Sequence, residues 1–446
     1  MKPSRYNVHI PIENDQTIVY NTMSDSRVIV TEELLDAINT CEIQNPNNTL
    51  TESQLNQLLD LGMVVDNRLD EKKEFEYWIN RIKFDNSVLD ITLLTTLSCN
   101  MQCTYCFEQG IKNSGNMSKD TADVLCDWLI ERLSETHAPR LFVTFFGGEP
   151  LVNESIITYV AETLYSRTKT IGVSLELALI TNGLLLSESL INKLNEYGLE
   201  WIKVTLDGDQ ETHDQMRPRK GGHGSYQDIM KRLLLIKGAV PIIIGSNYNE
   251  KIQKRLPFLY RDLKEKGFSP SDISEIAFKP IQGFVGHEAN STYHIDARTF
   301  SMTDLSTFNS LRKEVQSHGY KPFSRIKLGP CEAIRENTYI VDPTGALYKC
   351  GAMVGREDLS LGSIFDDFDS VIFGAQNISF MTADPWKHCG DCKFLPICGG
   401  GCRTSALSAN KAIDGVTCEK AYFENVSTEL VKEEVCETQL FVDERR

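Results

Sequence analysis

The chain has 446 residues, of which 41% are hydrophobic and 24% are charged, a composition typical of globular proteins. It excludes collagen-like, mucin-like and wholly disordered classes, and the length predicts about two to four domains. With 46 basic against 62 acidic residues and a net charge of −16, nucleic acid is not expected as a partner. The sequence predicts no signal peptide and no membrane partner, so we expect a cytoplasmic protein. Because thiols stay reduced there, the 13 cysteines indicate metal or cluster binding rather than disulfides.

The first predicted domain covers residues 1–86 and is a small winged-helix-like α+β unit with a linker helix. Its predicted elements are a hairpin over residues 6–20, a helix over 32–40, a second helix from Thr51 to Gly62, a strand over 63–65 and a charged linker helix over 70–84. Alternating apolar residues predict the hairpin, and Thr31 can cap the first helix. Thr51 and Gln54 have the spacing of a capping box for the second.

The second predicted domain, residues 87–324, alternates strand-like and helix-like segments. The apolar strand-like runs cover residues 88–94, 141–146, 175–180, 201–206, 241–245 and 276–279. Helix-length segments such as 121–133 and 225–237 lie between them, which favours parallel strands with right-handed crossovers. We therefore predict an α/β fold with a partial (β/α)6 barrel. A polar bridging region from residue 285 follows, with one helix around 305–315.

Three cysteines follow the first predicted barrel strand, Cys99, Cys103 and Cys106, separated by three and two residues. A structural zinc ion normally takes a fourth Cys or His ligand, and none follows closely, so an iron–sulfur cluster with one open iron fits better. Three reduced buried cysteines without a ligand are the less specific alternative. With Tyr105 before the third cysteine, the motif resembles the signature of the radical S-adenosylmethionine (radical SAM) superfamily.

Short polar motifs follow the next predicted strands, where that superfamily places its cofactor contacts. The resemblance implies that S-adenosylmethionine is contacted by Tyr105, Gly147, Gly148, Glu149, Pro150, Asn182, Thr205, Asp207 and Arg217. Glu149 is then expected to receive the amino group of the cofactor, and Thr205 is the preferred contact for its ribose or carboxylate. Taken singly, the turn at residues 147–150, Asn182 and Asp207 are equally compatible with ordinary turn chemistry, and Tyr105 with shielding a cluster from water. The resemblance also implies a 4Fe-4S cluster whose reduced form cleaves the cofactor to a deoxyadenosyl radical.

The third predicted domain, residues 325–446, contains eight cysteines, and seven of them resemble the pattern of the SPASM domain. The resemblance implies an outer auxiliary 4Fe-4S cluster held by Cys389, Cys392, Cys398 and Cys418. It implies an inner one held by Cys331, Cys350 and Cys402, which makes three clusters in all. A zinc ribbon is the alternative. The inner cluster lacks a fourth cysteine nearby, so it has an open iron or takes Cys41 or Cys126, both of which are more typical of small core residues.

The substrate is predicted from the first and third domains together. In element order, the first domain resembles the recognition element that binds the leader of a ribosomally made precursor peptide, although a shielding or self-association domain is the alternative. Sulfatase-maturing relatives have an aspartate after the second SPASM cysteine, whereas here Gly351 follows Cys350, which counts against formylglycine formation.

The predicted function is a peptide maturase that abstracts hydrogen and oxidatively forms a thioether or carbon–carbon crosslink. Its implied partners are a precursor peptide with a leader segment and an external electron donor such as flavodoxin or ferredoxin. The alternatives are a sulfatase-type or small-molecule radical SAM oxidase and, from another class, a non-catalytic iron–sulfur protein serving in electron transfer or as a scaffold. No general base is assigned among the candidate histidines His213, His223, His287, His294, His318 and His388.

Overall fold

The computed structural model describes residues 1–41, 50–106, 115–281, 302–323, 326, 328–410 and 412–443, with the side chains of 302–305, 408–410 and 436–443 excepted. Its strands are β1 (Lys2–Pro3), β2 (Asn7–Pro11), β3 (Gln16–Asn21), β4 (Ser26–Thr31), β5 (Val64–Val65), β6 (Leu89–Thr96), β7 (Arg140–Gly147), β8 (Ser174–Thr181), β9 (Leu199–Thr205), β10 (Ile242–Tyr248), β11 (Ile273–Pro280), β12 (Thr338–Val341), β13 (Ala346–Tyr348) and β14 (Gly362–Ser363).

Its α-helices are α1 (Glu32–Thr40), α2 (Glu52–Asp60), α3 (Glu71–Lys83), α4 (Lys119–Thr136), α5 (Glu154–Thr170), α6 (Glu188–Glu196), α7 (Gln210–Met216), α8 (Tyr226–Leu235), α9 (Glu250–Gln253), α10 (Leu256–Glu265), α11 (Met302–Ser317), α12 (Phe368–Ile372), α13 (Ala375–Met381), α14 (Leu395–Cys398), α15 (Arg403–Asn410), α16 (Lys420–Tyr422) and α17 (Thr428–Asp443). Short 3-10 helices cover Pro150–Asn153, Glu332–Ile334, Gly351–Met353, Glu357–Leu359 and Pro385–His388, and a π-helix covers Phe423–Ser427. No helix in the described part of the chain has both the length and the hydropathy needed to cross a bilayer.

The N-terminal unit is built on an antiparallel sheet in the order β2-β3-β4, with β1 paired to β5 beside it. The predicted hairpin and helices are present, and the Thr51–Gln54 capping box is formed. The strand β4 was not predicted, because its residues lack a clear alternation of buried and exposed side chains. One sheet face packs on α1 and α2, whereas the other packs against Phe394 and Ile397 near the C-terminus.

Among the described residues, nine strands form one sheet in the order β11-β10-β9-β8-β7-β6-β12-β13-β14. The strands β6 to β11 are all parallel, with helices between them, so the predicted partial barrel is confirmed. The strand β12, from the predicted third domain, pairs in parallel with β6 and continues the barrel sheet. The predicted domain boundaries at residues 86 and 324 stay predictions.

The strand β9 illustrates how the barrel separates its core from its interior. Ile202, Val204 and Leu206 are fully buried in the core cluster that the surrounding helices share. The alternate residues Lys203 and Thr205 lie on the opposite, inner face and are only partly buried. The carboxyl ends of the parallel strands meet at one end of the barrel, which is where ligands bind in sheets of this kind.

Candidate active site

The loop after β6 carries Cys99, Cys103 and Cys106, of which the first two are only 9% and 8% exposed. Backbone hydrogen bonds fix this loop against the chain that follows α7. The Gln102 N–H donates to the Pro218 carbonyl at 2.8 Å, and the Lys220 N–H donates to the Asn100 carbonyl at 3.0 Å. The three thiols therefore belong to one loop that is held against residues 218–220.

The turn at residues 147–150 packs directly beneath the backbone that leads to Cys99. A Cβ atom on Gly148 would lie 2.5 Å from the carbonyl oxygens of Leu97 and Ser98. The Gly148 and Glu149 N–H groups donate to Thr96 and Ser98 at 3.0 and 2.9 Å. Glycine is therefore required by close backbone approach, and the turn and the cysteine loop hold each other in place.

Glu149 is completely buried and its carboxylate accepts three hydrogen bonds. The donors are the Thr181 hydroxyl at 2.6 Å, the Asn182 N–H at 2.7 Å and the Leu151 N–H at 3.1 Å. Burial raises the pKa of Glu149, whereas these donors lower it. The carboxylate thus joins the ends of β7 and β8, while its expected contact with the cofactor amino group stays a prediction. Pro150 begins a 3-10 helix, and its contact with the cofactor also stays a prediction.

Asn182 connects the end of β8 to the cysteine loop. Its Nδ2 donates to Asn100 Oδ1 at 2.7 Å and lies 3.9 Å from Cys99 Sγ, while its Oδ1 accepts from the Leu184 N–H at 3.0 Å. The amide that the sequence assigns to the cofactor therefore also positions the first cysteine.

Tyr105, Asp207, Arg217 and Asn247 form one hydrogen-bonded cluster, here called the Tyr105 latch. The Tyr105 hydroxyl donates to Asp207 Oδ2 and accepts from Arg217 Nη1 at 2.7 Å and from Asn247 Nδ2 at 3.1 Å. Asp207 is fully buried and Arg217 is almost fully buried. Burial raises the pKa of Asp207, whereas the positive charge of Arg217 lowers it. The predicted cofactor contacts Asp207 and Arg217 thus bind the Tyr105 side chain. No local pattern in the sequence predicts these contacts, because Tyr105 lies on a loop distant in the chain.

Thr205 is the predicted cofactor contact that faces the barrel interior from the end of β9. Beside it lies Lys203, which sequence reasoning missed. A Cβ atom on Gly245 would lie only 2.6 Å from Lys203 Cε, so the glycine in the neighbouring strand makes room for this lysine. Burial and the nearby Lys279 lower the pKa of Lys203. A lysine within one apolar strand and a glycine within the next were the available signal.

His213 is the buried histidine among the candidate proton carriers. Its Nδ1 accepts the Asp207 N–H at 3.2 Å, its Nε2 lies 3.0 Å from Ser225 Oγ, and burial holds its pKa well below the usual value. It therefore serves as a neutral structural group beside the Tyr105 latch. His287 and His294 lie outside the described residues.

We call the predicted inner set, Cys331, Cys350 and Cys402, the first thiol group and the predicted outer set, Cys389, Cys392, Cys398 and Cys418, the second, and neighbouring cysteines shift the pKa of several of these thiols. Burial, then Cys402 and Cys350, raises the pKa of Cys331. Burial, then Cys392 and Cys418, raises the pKa of Cys389, and burial, then Glu419, Cys389 and Cys392, raises the pKa of Cys398. The ligand assignments themselves stay predictions.

Hydrogen bonds reach the sulfur atoms of the first group. Cys331 accepts from the backbone N–H groups of Ala333 and Arg403, and the Thr404 hydroxyl lies 3.5 Å from Cys350 Sγ. Within the described residues, no three His, Cys, Asp or Glu side chains converge closely enough for a single metal ion. Thiol ligands suit iron–sulfur clusters and zinc alike, so the two alternatives stay predictions.

Cys41 and Cys126 lie outside both thiol groups. The Cys41 thiol donates to the Ile38 carbonyl at 3.1 Å within the N-terminal core. Cys126 is fully buried in α4, and its pKa is raised by burial and further shifted by the charges of Arg167, Asp123 and Asp127. The two residues pack as small core residues, and the fourth ligand of the inner cluster stays a prediction.

Residues 93–250, about a third of the chain, match the Radical SAM superfamily. The chain carries a radical SAM domain. A radical SAM cyclopropyl synthase of Paramaledivibacter caminithermalis is 24% identical over 242 residues, which are 51% of this chain and 48% of that protein. The chain thus matches about half the length of that relative. A cysteine-type anaerobic sulfatase-maturating enzyme of Clostridium novyi is 22% identical over 362 residues, covering 74% of this chain and 93% of that one. These radical SAM relatives are enzymes.

Solved structures show the same fold. The structure of native anSMEcpe with bound AdoMet and Kp18Cys peptide aligns with a TM-score of 0.60 and 20% identity, covering 77% of this chain and 98% of that chain. Streptococcus suis SuiB bound to S-adenosylmethionine aligns with a TM-score of 0.54 and 14% identity, covering 94% and 99%. Both of those structures contain S-adenosylmethionine.

Proposed function

We propose that the protein is a peptide maturase that abstracts a hydrogen atom from a ribosomally made precursor and oxidatively forms a thioether or carbon–carbon crosslink. The observation that carries the proposal is the free edge of β4 in the N-terminal sheet. Among the described strands, β4 pairs with β3 alone, and an unpaired edge can accept an extended peptide as a further strand. Streptococcus suis SuiB bound to precursor peptide SuiA has the same fold over 94% of this chain, at 12% identity and a TM-score of 0.55.

The sheet that carries this edge is fixed to the cysteine-rich region. The Thr22 hydroxyl donates to the Lys393 carbonyl at 2.5 Å, and Arg5 forms an ion pair with Asp391 at 2.6 Å. Apolar side chains of β2 and β3 pack on Phe394 and Ile397 of the same segment. A leader bound at β4 would therefore be held at a defined place relative to Cys392, which lies between these contacts.

The cofactors are assigned to the residues that fit them. Cys99, Cys103 and Cys106 would hold the radical SAM cluster, with S-adenosylmethionine between the turn at 147–150 and Thr205. When bound, the cluster and S-adenosylmethionine would supply a deoxyadenosyl radical by reductive cleavage of S-adenosylmethionine. The chain's own contribution is to hold the cysteine loop through the Tyr105 latch and to surround the reacting groups with a barrel that limits access of water. The two C-terminal thiol groups would hold two auxiliary clusters that accept the second electron.

A sulfatase-type oxidase is the second candidate, favoured by the sequence similarity to the Clostridium novyi enzyme over most of its length. Gly351 separates the two functions. A Cβ atom at Gly351 would meet nothing within 4 Å, so the fold does not require glycine there and an aspartate would fit. The absence of the acidic residue is thus a chemical difference from those enzymes and supports the maturase.

The test is mass spectrometry of a small peptide encoded beside the gene, after anaerobic incubation with cluster-reconstituted protein, S-adenosylmethionine and reductant. We expect loss of two hydrogens in step with deoxyadenosine formation, and no reaction with the Cys99→Ala control. Formylglycine in a sulfatase-derived peptide would support the sulfatase-type oxidase instead. A chain that forms no deoxyadenosine would support the non-catalytic iron–sulfur protein, and an unchanged peptide mass with deuterium uptake from heavy water would indicate epimerisation.

A further inference from the structure

A surface groove of about 560 Å³ lies beside the cysteine loop, between that loop, the turn after β8 and α8. We call it the basic groove and define it by Asn100, Arg219, Lys220, Lys231, Arg232 and Leu235. It is separate from the barrel interior and from the free edge of β4, and neither the maturase proposal nor the site description above gives it a role.

The charge of the groove is opposite to that of the protein. Four of its lining residues are cationic and one, Asp228, is anionic, whereas the whole chain has a net charge of −16. Asp228 pairs with Arg219 and, at 3.4 Å, with Lys231, whose side chain is still 72% exposed. Lys220 is exposed as well. A local positive field on an acidic protein attracts and orients an acidic partner.

Apolar side chains accompany these cations. Leu235 is 56% exposed and Leu185 is 38% exposed, and both line the groove. An exposed apolar patch with charged residues at its rim is typical of a protein–protein interface. The groove therefore has the composition of a docking surface for an acidic protein.

The wall of the groove is linked to the first cysteine through Asn182. Asn100 lines the groove, and its Oδ1 accepts from Asn182 Nδ2 at 2.7 Å. The same Nδ2 lies 3.9 Å from Cys99 Sγ. Two side-chain amides thus connect the groove to a thiol of the cysteine loop, so a redox centre docked in the groove would face the loop across a short stretch of protein.

We propose that the basic groove docks an acidic, low-potential, one-electron carrier protein that reduces the cluster of the cysteine loop. In this step the carrier loses one electron and the cluster gains one, and no covalent bond forms or breaks. The inference rests on the radical SAM part of the proposed function and is independent of the peptide crosslink.

The test uses the full-length reconstituted protein and a purified flavodoxin in its hydroquinone form. In anaerobic stopped-flow measurements, the double variant Lys220→Glu/Lys231→Glu should be reduced about tenfold more slowly than the wild type at low ionic strength. The difference should shrink as salt is added, because screening weakens the interaction. Calorimetry should show weaker flavodoxin binding, and Lys220→Arg/Lys231→Arg should keep both the rate and the affinity.

Two controls separate docking from other effects. Lys264→Glu/Lys313→Glu makes the same change in net charge at exposed lysines of α10 and α11, and it should leave the rate unchanged. Reduced methyl viologen, a small cation, should reduce all variants at wild-type rates or faster. Three results would each overturn the proposal. The groove variant could be reduced by flavodoxin at the wild-type rate, the control variant could be slowed equally, or methyl viologen could reduce the groove variant more slowly than the wild type. Weakened peptide binding with unchanged flavodoxin reduction would also overturn it and assign the groove to the substrate. None of these rates depends on whether the peptide is crosslinked.

Discussion

The Tyr105 hydroxyl donates a hydrogen bond to the buried carboxylate of Asp207, although 102 residues separate the two in the chain. The contact joins the cysteine loop to the end of β9, and it is completed by Arg217, which follows α7, and by Asn247 of β10. The position of the third cysteine is therefore set by the far side of the barrel as well as by its own loop.

We expect Tyr105→Phe to destabilise the cluster-free protein by about 1–3 kcal/mol, because it leaves Asp207 and Arg217 buried without their shared partner. Urea unfolding measures the loss, and iron content after reconstitution reports on the loop. Tyr77→Phe is the matched control, since that side chain is 69% exposed and should change neither quantity. Equal stability of the two variants would show that the latch does not hold the loop.

Gly148→Ala should destabilise the fold by about 1–3 kcal/mol, because its Cβ atom would lie 2.5 Å from two carbonyl oxygens. Gly351→Ala should change the free energy of unfolding by no more than about 0.5 kcal/mol, since a Cβ atom there meets nothing within 4 Å. Urea unfolding of both variants measures the two changes in the free energy of unfolding. Similar losses in the two variants would mean that the contact between the turn and the cysteine loop is not the cause.

Lys203 gives a pH-dependent prediction. Burial and Lys279 lower its pKa in the folded protein below the ordinary lysine value of 10.5, so the unfolded chain binds more protons between these two pKa values. The free energy of unfolding therefore rises with pH through that window. Below the folded-state pKa, the buried lysine is protonated and its full cost to stability is present. Lys203→Met should be more stable than the wild type at pH 7, and the difference should shrink toward pH 10.

The control for this prediction is Lys264→Met, which removes an exposed lysine and should match the wild type at each pH. Chemical unfolding at several pH values measures both variants. A stability difference for Lys203→Met that stays constant from pH 7 to pH 10 would show that the charge of Lys203 carries no folding penalty.

Iron content tests the two C-terminal thiol groups. We expect Cys331→Ala and Cys389→Ala each to lose about four irons per chain after anaerobic reconstitution, since each disrupts a different 4Fe-4S site. Cys41→Ala and Cys126→Ala should keep the wild-type iron content, because these thiols lie outside both groups. A loss of iron in Cys126→Ala would instead assign it as the missing ligand of the inner cluster.

Local signals in the sequence were sufficient for some features and not for others. The capping box of Thr51 and Gln54 and the spacing of Cys99, Cys103 and Cys106 depend on neighbours a few residues away, so pattern and resemblance predicted them. The hydrogen bond between Asp207 and Tyr105 could not be predicted, because only the folded barrel brings the two residues together. The strand β4 lacks the alternation that would have predicted it.

The parallel pairing of β12 with β6 has a consequence for how such proteins can vary. Cys99 follows β6 and Cys350 follows β13, the hairpin partner of β12, so hydrogen bonds within one sheet set the separation of the two cysteine regions. The length of chain joining β11 to α11 does not set it. Insertions and deletions in that part of the connection are then tolerated during evolution without altering the separation of the two cysteine regions.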